Sequence, residues 1–217
     1  MTLDEALPLL KATVGVPFKE LFEDVPIDLR TNKGNVGQLL LLHIGLVLDS
    51  KLKDFSDGEL KTNKSDMFGD PKETMFITQI SRNIDSYVGK NPLPFDKTQL
   101  FEKIDNLVFL PVCKDARDRR DWFFTSCHHV NLPTQPSIYQ QLNEDYNNIV
   151  EKLSHDIETS EDGFIHTSSG KFIQVRSKDS KPYHPIFSEK YGKYISNKNH
   201  AFYFKKEFMR HCRLLNL

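Results

Sequence analysis

The chain has 217 residues and a formal net charge of −1; 38% of its residues are hydrophobic and 27% are charged. This length and composition suit a soluble globular protein with one domain, or with one domain and a small subdomain. Three cysteines without paired spacing argue against a disulfide framework, so we expect a reducing, cytoplasmic environment.

Neither a targeting signal nor a membrane segment is expected. The start of the chain, Met1 to Glu5, has acidic side chains and no basic region, unlike a secretory signal. The apolar run at residues 39–48 is too short to cross a bilayer. We therefore expect no membrane partner.

The small net charge hides an asymmetry along the chain. Residues 171–217 hold 11 Lys and Arg against 3 Asp and Glu, a balance of +8, whereas the remainder has a balance of −9. A basic segment is typical of a face that binds a polyanion such as DNA. An ordinary solvated surface would have the same charge, and charge alone does not separate the two.

Four elements are predicted before residue 50. Thr2 and Glu5 fit a capping box at the start of the first helix. The last of the four is apolar nearly all round, which predicts a buried helix. In chain order they are a helix at 2–11, a short helix at 16–23, a turn at 32–35 and the apolar helix at 37–48.

Residues 54–62 read as a turn that enters a short strand. In a strand, alternate residues share a face, so Glu59 and Lys61 point one way and Leu60 points the other. Asp54 can fold back beside Glu59, and two converging carboxylates suit Mg²⁺, with Lys61 steadying a hydroxide or a phosphate oxygen. The alternative is an exposed edge strand with an ordinary Glu/Lys pair, since Asp179-Ser180-Lys181 also fits the pattern acid-x-Lys.

The rest of the chain alternates strands and helices without a strict βαβ rhythm, which indicates a mixed α/β sheet with helices on its faces. Pro111 indicates the end of a strand or an edge strand. The predicted elements are a strand at 74–80, a short helix at 98–103, a buried strand at 106–113, a strand at 121–127 beside it, a long helix at 137–157, strands at 172–176 and 201–205 around a polar loop, and a helix at 207–215.

Cys127, His128 and His129 invite a zinc interpretation. Their spacing matches no common structural zinc pattern, and adjacent residues of a strand point to opposite faces. We interpret them as strand-end residues and core thiols, and nothing in the sequence supports a Cys/His nucleophile.

Several short blocks, collinear from about residue 32 to the C-terminus, resemble the MutH family of mismatch-repair nicking endonucleases and related GATC-cutting type II restriction enzymes. The order of the blocks and the spacing between Asp54 and Phe76 carry the resemblance. The blocks are 32–40, 53–55, 59–62, 72–76, 107–112, 171–176 and 201–208.

The resemblance implies a restriction-endonuclease-like PD-(D/E)xK core within one endonuclease domain over residues 1–217, in which two lobes can flank a DNA cleft. Asp54, Glu59 and Lys61 then correspond to the catalytic trio, with Asp54 and Glu59 as the Mg²⁺ ligands. Lys103 falls where the family has another active-site lysine. The implied partner is double-stranded DNA, bound by a monomer or a DNA-induced dimer.

The resemblance also places base reading in the loop from Arg176 to Lys181. The residues support this in part, because Arg176, Lys178 and Lys181 lie on a polar loop of the basic segment. Their guanidinium and ammonium donors can contact guanine edges or phosphates.

Two aromatic residues complete the implied DNA-binding set. Tyr203 falls at a base-reading position, and Phe76 resembles an aromatic wedge that enters the base stack. Core packing is the alternative for both. Of Phe202 and Tyr203 on one strand, one must face outward, and we predict that it is Tyr203.

Leu41 departs from the family pattern, which has a Glu there, near the metal. Loss of that glutamate can weaken a second metal site or disable catalysis. We expect a Mg²⁺-dependent type II restriction endonuclease with a GATC-like site, because nothing in the sequence identifies a mismatch-repair partner. The alternatives are a mismatch-repair-type DNA nickase and a catalytically impaired, sequence-specific DNA-binding module.

Overall fold

The computed structural model describes residues 1–23, 36–47 and 52–215, so the turn predicted at 32–35 lies outside the described residues. The chain divides into two compact units. The first unit is Met1–Met75, Asp105–Asn131 and Met209–Leu217, and the second is Phe76–Ile104 and Leu132–Phe208.

The protein is mixed α/β, as predicted. Its described α-helices are α1 (Leu3–Ala12), α2 (Phe18–Leu21), α3 (Val36–His43), α4 (Ile84–Tyr87), α5 (Gln99–Glu102), α6 (Pro136–Thr159) and α7 (Lys206–Leu214). Its described strands are β1 (Glu59–Ser65), β2 (Met75–Gln79), β3 (Asn106–Cys113), β4 (Phe123–Phe124), β5 (His128–Asn131), β6 (Ser168–Ser169), β7 (Ile173–Ser177), β8 (Ile186–Ser188), β9 (Lys193–Ser196) and β10 (His200–Phe204).

Strand β3 is the centre of the sheet in the first unit. It pairs in parallel with β1 on one side and antiparallel with β4 and β5 on the other. The prediction that Pro111 marks a strand end or an edge is therefore wrong. Pro111 sits inside β3, opposite the break between β4 and β5, where its carbonyl accepts from the Thr125 amide at 2.9 Å. A break in the neighbouring ladder removes the need for the amide donor that proline lacks.

Helices α1 and α3 belong to the hydrophobic core of the first unit. The capping box predicted for α1 is confirmed: the Glu5 amide donates to Thr2 Oγ1 at 3.2 Å, and the Thr2 amide donates to Glu5 Oε2 at 2.8 Å. Helix α3 packs against β1 and ends at His43, earlier than predicted. Gly45 has a φ of +85°, a conformation that favours glycine and stops a helix.

The sheet of the second unit has the strand order β2-β10-β7-β6. The two strands predicted around a polar loop are confirmed as the antiparallel pair β7 and β10, and the loop between them contains a hairpin, β8–β9, that the sequence did not predict. The long helix predicted at 137–157 is confirmed as α6, which packs against β6 and β7. Five apolar residues that recur along it at steps of three and four are all fully buried: Ile138, Leu142, Tyr146, Ile149 and Leu153.

Among the helices that the structure describes, none is both long enough and apolar enough to cross a membrane.

Candidate functional site

Strand β1 carries an ion pair whose carboxylate is buried. Lys61 Nζ donates to Glu59 Oε1, and Glu59 is only 2% exposed. Leu60 points to the other face and joins the hydrophobic core, as strand alternation predicts. A carboxylate and an ammonium are therefore held together on one side of a strand whose other side is anchored by a leucine.

The turn before β1 brings Asp54 back to the strand. Asp54 Oδ2 accepts from the Leu60 amide at 3.0 Å, and the Phe55 amide donates to the Gly58 carbonyl at 2.9 Å. Gly58 has no space for a side chain, because a Cβ there would lie 2.5 Å from Leu3 Cδ1. The turn thus places an exposed carboxylate, that of Asp54, one residue along the strand from the buried Glu59.

Contacts from two other elements hold this turn in place. The Leu3 amide at the start of α1 donates to Asp57 Oδ1 at 2.7 Å, and Asn106 Nδ2 at the start of β3 donates to the Asp57 carbonyl at 3.1 Å. Lys53 forms an ion pair with Asp105 at 2.8 Å. The backbone that carries Asp54 and Glu59 is therefore fixed on both sides.

The polar face of β1 extends beyond Glu59 and Lys61. Asn63 and Ser65 follow at alternate positions and are 3% and 0% exposed. Asn63 Oδ1 and Ser65 Oγ are buried and have no hydrogen-bond partner among the residues that the structure describes. Oxygen atoms thus line the same strand face as the ion pair.

Asp54 and Glu59 are the residues that could hold a magnesium ion with few protein ligands. Within residues 1–23, 36–47 and 52–215, no three His, Cys, Asp or Glu side chains group to hold a metal. The Asp57 carboxylate accepts from the Leu3 amide, which leaves Asp54 and Glu59 as the candidate carboxylates at the start of β1. Mg²⁺ is commonly bound through one or two carboxylates, with water and substrate phosphate as its other ligands. Two carboxylates beside a cation match that requirement.

Leu41 lies in the core of the first unit. It is 6% exposed and belongs to the hydrophobic cluster that also contains Leu60 and Phe55. Because Leu60 points away from Glu59, this cluster covers the opposite face of β1 from the ion pair. The position where the resemblance expects a glutamate is thus filled by a core side chain.

Lys103 lies in the second unit, where it is half-buried at the C-terminal end of α5. Thr98 Oγ1 caps the start of that helix by accepting from the Phe101 amide at 3.1 Å. The role of Lys103 as an active-site lysine stays a prediction.

Four of the five predicted DNA-contacting residues form one continuous set of ring contacts. Arg176 Cζ lies 4.2 Å from the centroid of the Tyr203 ring, and Lys178 Nζ lies 3.4 Å from that of Phe76. The rings of Phe76 and Tyr203 meet edge to face with centroids 5.7 Å apart. We call these four residues, Phe76, Arg176, Lys178 and Tyr203, the aromatic–cation surface. Two cations stacked on two joined rings hold their charge in a fixed arrangement.

The strand register explains how this surface forms. Arg176 pairs with Ala201, and Gln174 pairs with Tyr203, so Arg176 and Tyr203 share one face of the sheet. Arg176 is the last residue of the strand predicted at 172–176 and the first of the predicted base-reading loop. The structure places it in β7, because the ladder with β10 extends to Ser177. Lys181 is exposed on the loop that follows and is not part of this surface.

Tyr203 and Phe202 point to opposite sides of β10. Phe202 is fully buried and packs against Tyr87, with ring centroids 5.2 Å apart. Tyr203 points to the other side of the strand, where Arg176 and Phe76 cover it and leave it only 7% exposed. The prediction that it faces outward is therefore not confirmed. Burial raises the pKa of the Tyr203 hydroxyl, and the nearby Arg176 charge lowers it in part.

Asp179 is a residue whose importance the sequence did not reveal. Its side chain is 5% exposed although the loop around it is open to solvent. It accepts hydrogen bonds from the amides of Ser180 at 2.9 Å, His184 at 2.6 Å and Asn199 at 2.8 Å, and from His184 Nδ1 at 2.9 Å. These donors hold the pKa of the Asp179 carboxyl far below its usual value, the Asn199 amide contributing most. Its position in a polar loop beside a serine was the available signal.

The Cys and His residues weighed as a zinc or nucleophile site have other surroundings. Burial raises the pKa of the Cys127 thiol to about 11, so this sulfur stays protonated at neutral pH. His128 Nε2 lies 2.7 Å from Ser126 Oγ, and His129 Nε2 lies 2.8 Å from Asn106 Oδ1. The two adjacent histidines thus have different partners.

The described chain is therefore a mixed α/β protein with a carboxylate–lysine strand in one unit and an aromatic–cation surface in the other. No family model matches it. It is 34% identical over 115 residues to the DNA mismatch repair protein MutH of Vibrio vulnificus (strain YJ016), a stretch that covers 50% of this chain and 48% of that protein. The corresponding values are 31% over 118 residues for MutH of Vibrio cholerae serotype O1 (strain M66-2) and 30% over 118 residues for MutH of Haemophilus influenzae (strain 86-028NP), with 51% of each chain covered.

The chain is a distant relative of the MutH family. It spans about half the length of the curated relatives that it matches.

Proposed function

We propose that this protein is a Mg²⁺-dependent endonuclease that hydrolyses a phosphodiester of double-stranded DNA at a short specific site. The observation that carries the proposal is the Glu59–Lys61 pair on β1, with Asp54 folded against the same strand, in a chain related to DNA mismatch repair proteins. A restriction-endonuclease-like core is part of the proposal. The parallel pairing of β1 with a central buried β3 and the packing of α3 on β1 support it.

Asp54 and Glu59 would hold the metal, which when bound lowers the pKa of a water molecule and neutralises charge on the phosphate. Lys61 already contacts Glu59. With Glu59 engaged as a metal ligand, the Lys61 ammonium would be available to hold the attacking water or a non-bridging phosphate oxygen. Attack forms a bond from the water oxygen to phosphorus, and the bond from phosphorus to the 3′ oxygen breaks. The attacking water gives up one proton to solvent, and the 3′ oxygen takes one up to become a hydroxyl.

The aromatic–cation surface is the proposed base-reading region. Arg176 lies over Tyr203, so its guanidinium is oriented before any DNA arrives. A planar donor fork of this kind can contact guanine O6 and N7 together. The balance of +8 over residues 171–217 would attract the DNA backbone without regard to sequence.

Three alternatives differ in what they do to DNA. A type II restriction enzyme cuts both strands of a GATC-like site. A nickase cuts one strand, and the mismatch-repair names of the relatives favour this form. A DNA-binding module without catalysis is favoured by Leu41, since the expected third carboxylate is absent there.

The test uses a supercoiled plasmid with GATC sites and one without, each with Mg²⁺ or with EDTA. The proposal is supported if the supercoiled plasmid is cut only with Mg²⁺ and only when it contains GATC sites. A linear product identifies double-strand cutting, and an open circle identifies nicking. If the plasmid stays intact under all conditions and the protein still binds the GATC duplex, the protein is a DNA-binding module without catalysis. Unmethylated, hemimethylated and fully methylated plasmids are compared, because adenine methylation alters the edge that the surface would read.

Sequence reading is tested separately with Arg176→Ala. The lost guanine contact should reduce the preference for GATC over a scrambled duplex by about 1–3 kcal/mol, with little change in non-specific binding at fixed salt. The matched control is Lys171→Ala, because Lys171 also stacks on an aromatic ring, that of Phe172, at 5.3 Å. Equal weakening of all duplexes by Arg176→Ala would make Arg176 a phosphate contact instead.

A further inference from the structure

Beyond the end of the β7–β10 ladder, hydrogen bonds to Asn199 continue the pairing. The last paired residues of the ladder are Ser177 and His200. The Lys178 amide then donates to the Asn199 carbonyl at 2.8 Å, and the Asn199 amide donates to the Asp179 carboxylate at 2.8 Å. The side chain of Asp179 thus stands in for the next backbone acceptor.

The same carboxylate closes the loop on its other side. It accepts from the backbone amides of Ser180 and His184 and from the His184 imidazole. A carboxylate that forms a turn needs to accept only one or two hydrogen bonds, whereas this nearly buried carboxylate accepts four. Asp179 therefore ties both ends of residues 180–184 to the start of β10.

This arrangement fixes Lys178, the residue before Asp179. The Lys178 backbone is held by its own bond to Asn199 and by the bonds of the following residue, while its ammonium lies on the Phe76 ring. A cavity of about 630 Å³ lies beside the loop, lined by residues that include Gln79, Lys178 and Asp179. The loop thus presents Lys178 in one orientation at the edge of an open pocket.

We propose that Asp179 is a positioning residue for sequence reading: its carboxylate pre-orders residues 178–184 so that Lys178 keeps its place in the aromatic–cation surface. The inference rests on the proposed function. Asp179 itself would contact no base and would act through Lys178. Pre-ordering matters because a flexible lysine that must be ordered upon binding contributes less to discrimination between sequences.

The variant that tests this is Asp179→Asn. It keeps the size of the side chain but replaces one acceptor oxygen by an amide donor, which faces N–H groups. We expect the ratio of binding constants for a GATC duplex and a duplex with one changed base to fall by about tenfold or more, with non-specific binding within about twofold of wild type. Hydrogen exchange at the amides of Ser180, His184 and Asn199 should accelerate.

The matched control is Asp85→Asn. The Asp85 carboxylate also holds a loop, accepting from the Glu189 amide at 3.0 Å, the Lys190 amide at 3.3 Å and the Ser188 hydroxyl. Asp85→Asn should lower the melting temperature and leave the ratio of the two binding constants unchanged. If Asp179→Asn does not fold, His184→Ala removes one exposed donor to the same carboxylate and should reduce the ratio by a few fold.

The outcomes separate this inference from the function on which it rests. A wild-type protein that binds both duplexes equally refutes the base-reading function, and the inference falls with it. If the wild-type protein prefers the GATC duplex and the Asp179→Asn variant prefers it equally well, the inference about Asp179 is refuted and the base-reading function stands. Unchanged exchange at the three amides in that variant also refutes it, because the carboxylate would then not order the loop.

Discussion

Leu41→Glu tests whether the position that lacks the expected carboxylate belongs to the core or to the active site. Leu41 is 6% exposed within a cluster of buried apolar side chains. Helix α3 packs against β1, and the cluster includes Leu60 rather than Glu59. A glutamate at this position would enter an apolar environment on the face of β1 away from the ion pair.

The expected cost follows from two contributions. Loss of a fully buried leucine removes about 1.5–3 kcal/mol of hydrophobic stabilisation. The buried glutamate would have to stay neutral at pH 7, which is about 2.7 pH units above the usual pKa of a glutamate, and this adds about 4 kcal/mol. The total, about 5–7 kcal/mol, is comparable to the entire stability of many domains, about 5–15 kcal/mol. We therefore expect a large fall in melting temperature or loss of the folded state.

The assay is thermal unfolding of Leu41→Glu with Mg²⁺ and with EDTA. The control is Leu42→Glu on the same helix, because Leu42 is half-buried and its carboxylate can reach water. The control should lose much less stability. If Leu41→Glu melted near the wild-type temperature and gained stability or cleavage rate from Mg²⁺, the placement of Leu41 in the core would be refuted.

Two further predictions concern the first unit. Gly58→Ala should lower the free energy of unfolding by about 1–3 kcal/mol in denaturant, because its Cβ would lie 2.9 Å from the Asn106 carbonyl oxygen. The control is Gly37→Ala, which should be neutral or stabilising because nothing lies within 4 Å of its Cβ. Equal effects of the two substitutions would contradict the crowding at Gly58. The Arg210 guanidinium holds the pKa of Asp70 below its usual value, so this carboxylate stabilises the fold near neutral pH and loses that contribution as the pH falls below about 4. Asp70→Asn should therefore flatten the acid limb of a plot of melting temperature against pH, and an unchanged limb would contradict this linkage.

Local pattern was sufficient for much of the fold. Alternation along β1 predicted that Leu60 is buried and that Glu59 meets Lys61, since a strand leaves no other arrangement for residues two apart. The apolar period of residues 137–157 predicted α6 because burial on one helix face requires it. The pair β7 and β10 was also recognisable from its apolar residues.

Features that depend on distant partners were not predictable in this way. Asp179 matched a motif by chance, and its actual partners include an amide twenty residues away in sequence, that of Asn199. The tolerance of Pro111 inside β3 depends on a gap between two other strands. Arg176 was placed both at the end of a strand and at the start of a loop, because the sequence does not show how far a partner strand extends the ladder.

The most direct test of the central claim is the single-turnover cleavage rate of Glu59→Gln on a GATC duplex with saturating Mg²⁺. Glutamine keeps the size of the buried side chain and removes the charge that would bind the metal and now pairs with Lys61. Loss of several kcal/mol of transition-state stabilisation predicts a rate lower by about a thousandfold or more, with DNA affinity near that of wild type because phosphate contacts dominate it. A Glu59→Gln protein that cleaves at the wild-type rate would contradict the account.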